Sequence, residues 1–217
     1  MLGFIRRHLD PAGRLGEALF GLIMALGFTC AVRLGEEEAN NRALFISISG
    51  CNLAWAIVDG VTHVLSALFE RGRKARLIRD VLSAATEEAA LQHIGKELDG
   101  PLMALTTPQE RLQLHRWVLA ILRQGDPEEP RVQREDLLGG VAASLVVLLA
   151  TFPIVVPFLL VPDPNLAVRL SNLIALILLF LLGLRWGQIV GGRSFRIAAG
   201  LTLIGVVLVV ITVLLGG

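Results

Sequence analysis

Leu137–Val161, LLGGVAASLVVLLATFPIVVPFLLV, runs for 25 residues without a charge. A helix needs roughly 17–25 apolar residues to cross the hydrocarbon core of a bilayer. A helix on a water-soluble core shows a polar face every few residues; Leu201–Leu215, of the same character, offers only two Thr. Leu137–Val161 therefore predicts a membrane-spanning helix. Working outward, four more stretches have the same character: Leu15–Val32, Ala43–Phe69, Leu166–Leu184 and Ile197–Leu215. The five hold 108 of the 217 residues, but of the chain's 39 charged residues only Glu17, Asp59 and Arg169. The expectation is an all-α polytopic membrane protein with five transmembrane helices and a helical cytoplasmic segment between the second and third.

Composition agrees. The chain is 54% hydrophobic and 18% charged, with a mean hydropathy of +0.67. Disordered chains lack that much apolar material, and disulfide scaffolds need more than the two cysteines present. The net charge of +1 leaves no basic field for nucleic acid. Arg6 and Arg7 precede the first span in the manner of a signal peptide. No small-residue cleavage site follows it, so it is expected to be retained.

Orientation follows the placement of Lys and Arg. Putting the N-terminus inside leaves 17 basic residues on the cytoplasmic side and 3 outside (Arg33, Arg42 and Arg169). The C-terminus then lies outside. Arg71, Arg73, Lys74, Arg76 and Arg79 stand directly after the second span, where this rule is strongest. Three regions result: 1–69 with an N-terminal arm and two spans, 70–136 as the cytoplasmic helices, and 137–217 with three spans.

In the middle region, the second span should continue through Arg71–Leu82. A helix from Thr86 should end before Gly100-Pro101, with Leu91, Ile94 and Leu98 on one face. Another should follow a capping box of Thr107, Pro108 and Glu110, in which cap and third residue satisfy each other's backbone N–H. Leu112, Trp117, Leu119 and Leu122 are its apolar positions, and Gly125-Asp126-Pro127 ends it.

The candidate functional residues are the ionisable ones in apolar surroundings. Asp59 lies about 24 Å along its helix from the start of the span, at 1.5 Å per residue. A carboxylate at that depth costs at least about 2.5–3.5 kcal/mol, so it normally faces a cavity, a proton path or an ion. His63 is one turn on, and Asn52 seven residues back, which makes a polar stripe. Asp and His together can ligate a divalent transition metal or carry a proton; a structural polar network is the alternative. Glu17 near the inner end of the first span can line an entrance or snorkel to the interface. Met24 offers a soft thioether ligand or simple packing. In the middle region Glu87, Glu88, His93 and Glu97 are candidate metal ligands, with Glu110 and His115 of the same kind. Charged surface helices carry such residues without binding metal, and Glu87 and Glu88 also suit a helix N-terminus. Pro153 and Pro157 should bend the third span. Gly183 with Gly187, and Gly139 with Ala143, permit close helix packing or a dimer face. Cys30 and Cys51 are expected as small hydrophobes. No nucleophile elbow, phosphate loop, dinucleotide fingerprint or zinc spacing supports an enzyme or a resident cofactor.

Several motifs resemble the vacuolar iron transporter family. They are Gly139-Gly140 with Pro153 and Pro157, Gly183-Leu-Arg-Trp-Gly187, Gly200 with Ile204-Gly205, and the basic run Ala67-Leu-Phe-Glu-Arg-Gly-Arg-Lys-Ala-Arg76. Two spans, a charged helical segment and three spans is that family's order. The resemblance implies a homodimer in the bilayer that exports ferrous iron or manganese from the cytosol, with proton antiport. The short loops and the absence of extra targeting segments suggest a bacterial plasma membrane over an organelle membrane. In that family the metal path uses an Asp-Gly pair in the first span, Met and Glu in the second, and Glu-rich cytoplasmic helices. Here Met24-Ala25 occupies the first-span position, and the membrane Asp-Gly is Asp59-Gly60 in the second. The other expectation is a non-transporting scaffold whose cytoplasmic helices bind a partner protein.

Overall fold

The computed structural model describes residues 1–32, 41–102, 105–125 and 129–214. The first loop (Arg33 and Glu36–Glu38), the turn at Asp126-Pro127 and Leu215 fall outside these, as does the Cys30 side chain. Every regular element among the described residues is a helix. In chain order they are α1 (Leu2–His8), α2 (Pro11–Val32), α3 (Asn41–Leu82), α4 (Glu87–Leu102), α5 (Pro108–Leu122), α6 (Arg134–Val155), α7 (Pro157–Leu160), α8 (Pro164–Val190) and α9 (Ser194–Leu214). Among the described residues four helical stretches are long and apolar enough to cross a membrane: Asn41–Leu82, Arg134–Leu160, Pro164–Val190 and Ser194–Ile211. On α9, Leu203, Ile204, Val207 and Val210 are exposed. Water would penalise such a surface; lipid does not. The chain is an integral membrane protein.

The chain forms two compact units, Met1–Val64 with Arg134–Gly217, and Leu65–Gln133. In the larger unit, α2 packs against α6, α8 and α9. Leu22, Ala25 and Leu26 of α2 meet Ile154, Ala175 and Leu179 in one cluster. A second cluster joins Leu44 and Ile48 of α3 to Val155, Phe158, Ala167 and Val168. The N-terminal arm is itself helical: Ile5 of α1 and Leu9, which follows it, are buried against Ala142, Ala143 and Val146.

Helix starts follow local chemistry. Asp10 accepts from Ala12 N (3.2 Å) and Gly13 N (3.0 Å) ahead of α2, whose first residue is Pro11. Asp163 accepts from Asn165 N at 3.0 Å ahead of Pro164. In both, the acid satisfies orphan donors and proline fills a position that needs no N–H. Gly191, at φ 73°, closes α8 in the left-handed conformation.

The third predicted span is interrupted once, ahead of its second proline. Pro153 lies within α6, and α7 restarts at Pro157. The Ser171 hydroxyl of α8 donates to the Ile154 carbonyl at 2.7 Å, in a buried position beside the break. Lipid offers such a carbonyl no donor, so the neighbouring helix supplies one.

Lipid is as apolar as the helices it surrounds, so their association depends on close packing and hydrogen bonds. A Cβ at Gly183 would overlap Ala198, and one at Gly187 would overlap Ser194. These two glycines are therefore used within the chain, at the α8–α9 contact.

In the smaller unit, α4 and α5 pack on each other. Val81, Ala90, Ile94 and Leu119 form the core, flanked by Leu91, Leu98 and Leu122. The Thr107 capping box is present: Glu110 N donates to Thr107 Oγ1 (3.4 Å) and Thr107 N to a Glu110 carboxylate oxygen (2.7 Å). Leu112 and Trp117 are exposed, not core. α4 does not stop before Gly100-Pro101 but runs to Leu102. A proline in the last turn removes one backbone bond only.

Candidate functional site

α3 turns the row Ile48, Asn52, Ala56 and Gly60 inward at helical spacing. Asp59 and His63 border that row and are partly exposed. The row faces α6 across a very close approach. A Cβ at Gly60 would stand 2.9 Å from the Gly140 carbonyl oxygen, and one at Gly140 would stand 2.6 Å from the Gly60 carbonyl oxygen. The Ser144 hydroxyl donates across this crossing to the Ala56 carbonyl at 2.6 Å, with its own Gly140 carbonyl at 3.1 Å. His63 lies over Gly139, where a Cβ would overlap Nε2 of the imidazole. Glycine at 139 is thus what makes room for His63 at the helix contact.

Asn52 is buried. Its Nδ2 donates to the Ile48 carbonyl at 3.0 Å, and among the described residues its Oδ1 has no donor. Leaving a buried acceptor unpaired costs about 1–3 kcal/mol, so this oxygen is one that water or a cation would satisfy. The carboxylates of Glu17 on α2 and Asp59 on α3 are near enough to interact electrostatically. Among the described residues Asp59 makes no hydrogen bond or ion pair. Met24 shares the Glu17 side of α2, seven residues on, and is partly buried. Arg169 is exposed on α8.

The other predicted ligands lie in the smaller unit and are differently engaged. Glu97 is 3.6 Å from Arg73, and Glu87 is 3.9 Å from Arg116. Glu88 is exposed and His93 partly so. Glu110 is committed to its cap. Bonds from the Thr107 backbone N–H and then its hydroxyl hold the Glu110 carboxyl below its usual range. Among the described residues no three His, Cys, Asp or Glu side chains group as a metal site would need. His115 is buried, with Nε2 2.9 Å from Asp99 Oδ1. Gly95 leaves the space; a Cβ there would stand 3.3 Å from His115 Cε1. The pair borders an open groove of about 700 Å³ with Glu88, Gln92 and Lys96 on its wall.

Sequence reasoning missed the Asp99–His115 pair and the Ser144 bridge. Asp99 and His115 face each other only because α4 and α5 fold back about the turn before Thr107, and no periodicity marks partners on two helices. Ser144 carried a weak signal, as a hydroxyl five residues after Gly139-Gly140 begins. No protein-family model matches the chain, and no curated protein is similar to it.

Proposed function

We propose that the protein is a transporter of divalent metal ions, iron or manganese, resembling the vacuolar iron transporters and working as a homodimer in a bacterial plasma membrane. It carries ions out of the cytosol in exchange for protons. The observation that carries this reading is the electrostatic approach of Glu17 and Asp59 on two apolar helices, with His63 one helical turn on from Asp59. Two carboxylates that repel each other favour either a proton or a cation between them. A site that holds one or the other, but not both, couples ion exit to proton entry. In this reading α2 is a fifth span, the N-terminus and the smaller unit are cytoplasmic, and the C-terminus is outside. Met24 lies further along the Glu17 side of the path, and Glu87, Glu88, His93 and Glu97 gather ions before entry. The protein is not an enzyme and has no resident cofactor.

The test is uptake of ferrous iron or manganese into proteoliposomes of inverted orientation. Asp59→Asn should abolish uptake and the accompanying proton flux, and Glu17→Gln should slow both. Uptake by Asp59→Asn at the wild-type rate removes the central carboxylate from the mechanism.

A second reading, a non-transporting scaffold whose cytoplasmic helices bind a partner, is favoured by the absence of any three-ligand group among the described residues. Calorimetry with ferrous or manganese ions separates the two. Saturable binding at micromolar metal supports the transporter, and its absence supports the scaffold.

A further inference from the structure

α8 and α9 both qualify as membrane spans, and only residues 191–193 join them. Their turn therefore lies at a bilayer surface, whichever way the chain is oriented. Arg185, Arg193 and Arg196 gather there and are exposed. Arg185 is five residues before the end of α8, a rise of about 8 Å, and Arg196 is two residues into α9, about 3 Å. From that depth a long side chain carries its charge out to the headgroups. Among the described residues none of the three makes an ion pair. Their one side-chain hydrogen bond has a neutral acceptor: Arg185 Nη1 donates to Gln188 Oε1 at 3.0 Å. Residues 164–196 are described throughout, side chains included, and contain no Asp or Glu.

Apolar side chains stand among these cations. Ile189, Val190 and Phe195 are 56%, 64% and 69% exposed. Phe195 meets Phe180 of α8 edge-on, with ring centroids 5.8 Å apart, which holds its ring on the outside of the hairpin. The backbones themselves are in contact here, since a Cβ at Gly187 would overlap Ser194. A ligand that matches this surface has an anionic head for the guanidinium groups and an aliphatic body for the side chains beside them. A soluble polyanion would satisfy the cations and leave the apolar surface in water. A zwitterionic lipid would bring a choline cation up to the arginines. An anionic phospholipid meets both demands, and the turn already lies at headgroup depth.

We propose that the α8–α9 turn binds an anionic phospholipid, with Arg193 and Arg196 on the phosphate, Arg185 beside the headgroup, and an acyl chain along Ile189 and Phe195. The Arg196 N–H donates to the Arg193 carbonyl at 2.9 Å, so the two side chains start from one turn of backbone. A guanidinium offers a phosphate two parallel hydrogen bonds, which an ammonium does not. The proposal requires only that the protein lies in a membrane and is independent of transport.

The full-length protein, stripped of lipid in detergent, is titrated with dioleoyl phosphatidylglycerol or dioleoyl phosphatidylcholine, and bound lipid is counted by native mass spectrometry. Phosphatidylglycerol should be retained preferentially. Removing two cations in Arg193→Gln/Arg196→Gln should weaken its retention by about thirtyfold. Arg169, also exposed, lies about 24 Å before Arg185 on the same helix, and Arg169→Gln should leave retention unchanged. Circular dichroism establishes that both variants are folded, and the comparison of the two lipids on the unaltered chain needs no variant. Equal retention of the two lipids overturns the proposal, as does undiminished phosphatidylglycerol binding by the double variant. A loss of about fivefold in Arg169→Gln, the effect of one cation at a membrane surface, overturns it too, because the attraction would then be to charge in general. Glycerol phosphate displacing the lipid at equal concentration also overturns it, because the apolar side chains would then contribute nothing.

Discussion

At the α3–α6 crossing, two glycines, one on each helix, should respond differently to the same added methyl group. The Cβ of Gly60→Ala would meet the backbone carbonyl of Gly140, and a helix backbone cannot yield without parting the two helices. Overpacking of that kind costs about 1–3 kcal/mol, and the variant should unfold earlier in a denaturant titration by that amount. The Cβ of Gly139→Ala would meet only the far end of the His63 ring, which can turn away. Its cost should be smaller, and His63→Ala should remove most of it in the double variant. If Gly139→Ala is the more damaging and His63→Ala does not relieve it, the ring is not what the glycine accommodates. Ser171 makes a third case: Ser171→Ala leaves the Ile154 carbonyl without its donor and should cost about 0.5–2 kcal/mol by the same measurement. The sequence placed Asp59, His63 and Asn52 on one helical face, because 3.6-residue periodicity is local information. It gave no sign that Glu17 would approach Asp59, since that depends on how two apolar helices pack, and apolar faces carry little register.

Among the elements, α5 carries the most explicit sequence signal and the most direct test. Thr107 and Glu110 satisfy each other's backbone N–H groups, so Thr107→Ala should destabilise the smaller unit by about 1 kcal/mol. The same pair gives a pH dependence of known sign. The Glu110 carboxyl is held below its ordinary value of 4.5 in the folded chain. Its contribution is therefore complete above that value and is lost as pH falls through the lower, folded one. Helicity followed by circular dichroism should show wild-type α5 losing its first turn at acid pH, with that loss missing in Glu110→Gln. A Glu110→Gln variant with the wild-type acid profile would assign the transition elsewhere. The capping box was legible because it is a contiguous motif with one mechanism. The end of α4 was not, because Gly100-Pro101 signals a stop only where the helix has bonds left to lose. Trp117 was legible as apolar and still lies exposed: composition marks a residue for burial, but its place on the α5 wheel, opposite Leu119, decides.

For the molecule as a whole, the distribution of charge is the evidence for orientation and the labelling of cysteines is its test. Four helical stretches qualify as spans among the described residues. In the proposed topology α2 is a fifth, which sends residues 65–133 to the side of the N-terminus and the α7–α8 turn to the other. An odd number of crossings also separates the two termini. In a background of Cys30→Ser and Cys51→Ser, Ser83→Cys probes the exposed end of α3 and Asn165→Cys the exposed start of α8. In intact cells a membrane-impermeant maleimide should modify Asn165→Cys and leave Ser83→Cys unmodified until the membrane is opened. A cysteine at Gly3 should behave as Ser83→Cys does. Four crossings without α2 would put the position-3 cysteine on the side opposite Ser83→Cys, so the pair of results decides the count as well as the direction. Reversed labelling of both Ser83→Cys and Asn165→Cys would turn the proposed exporter into an importer, with Glu17 at the exit of the path and not its entrance.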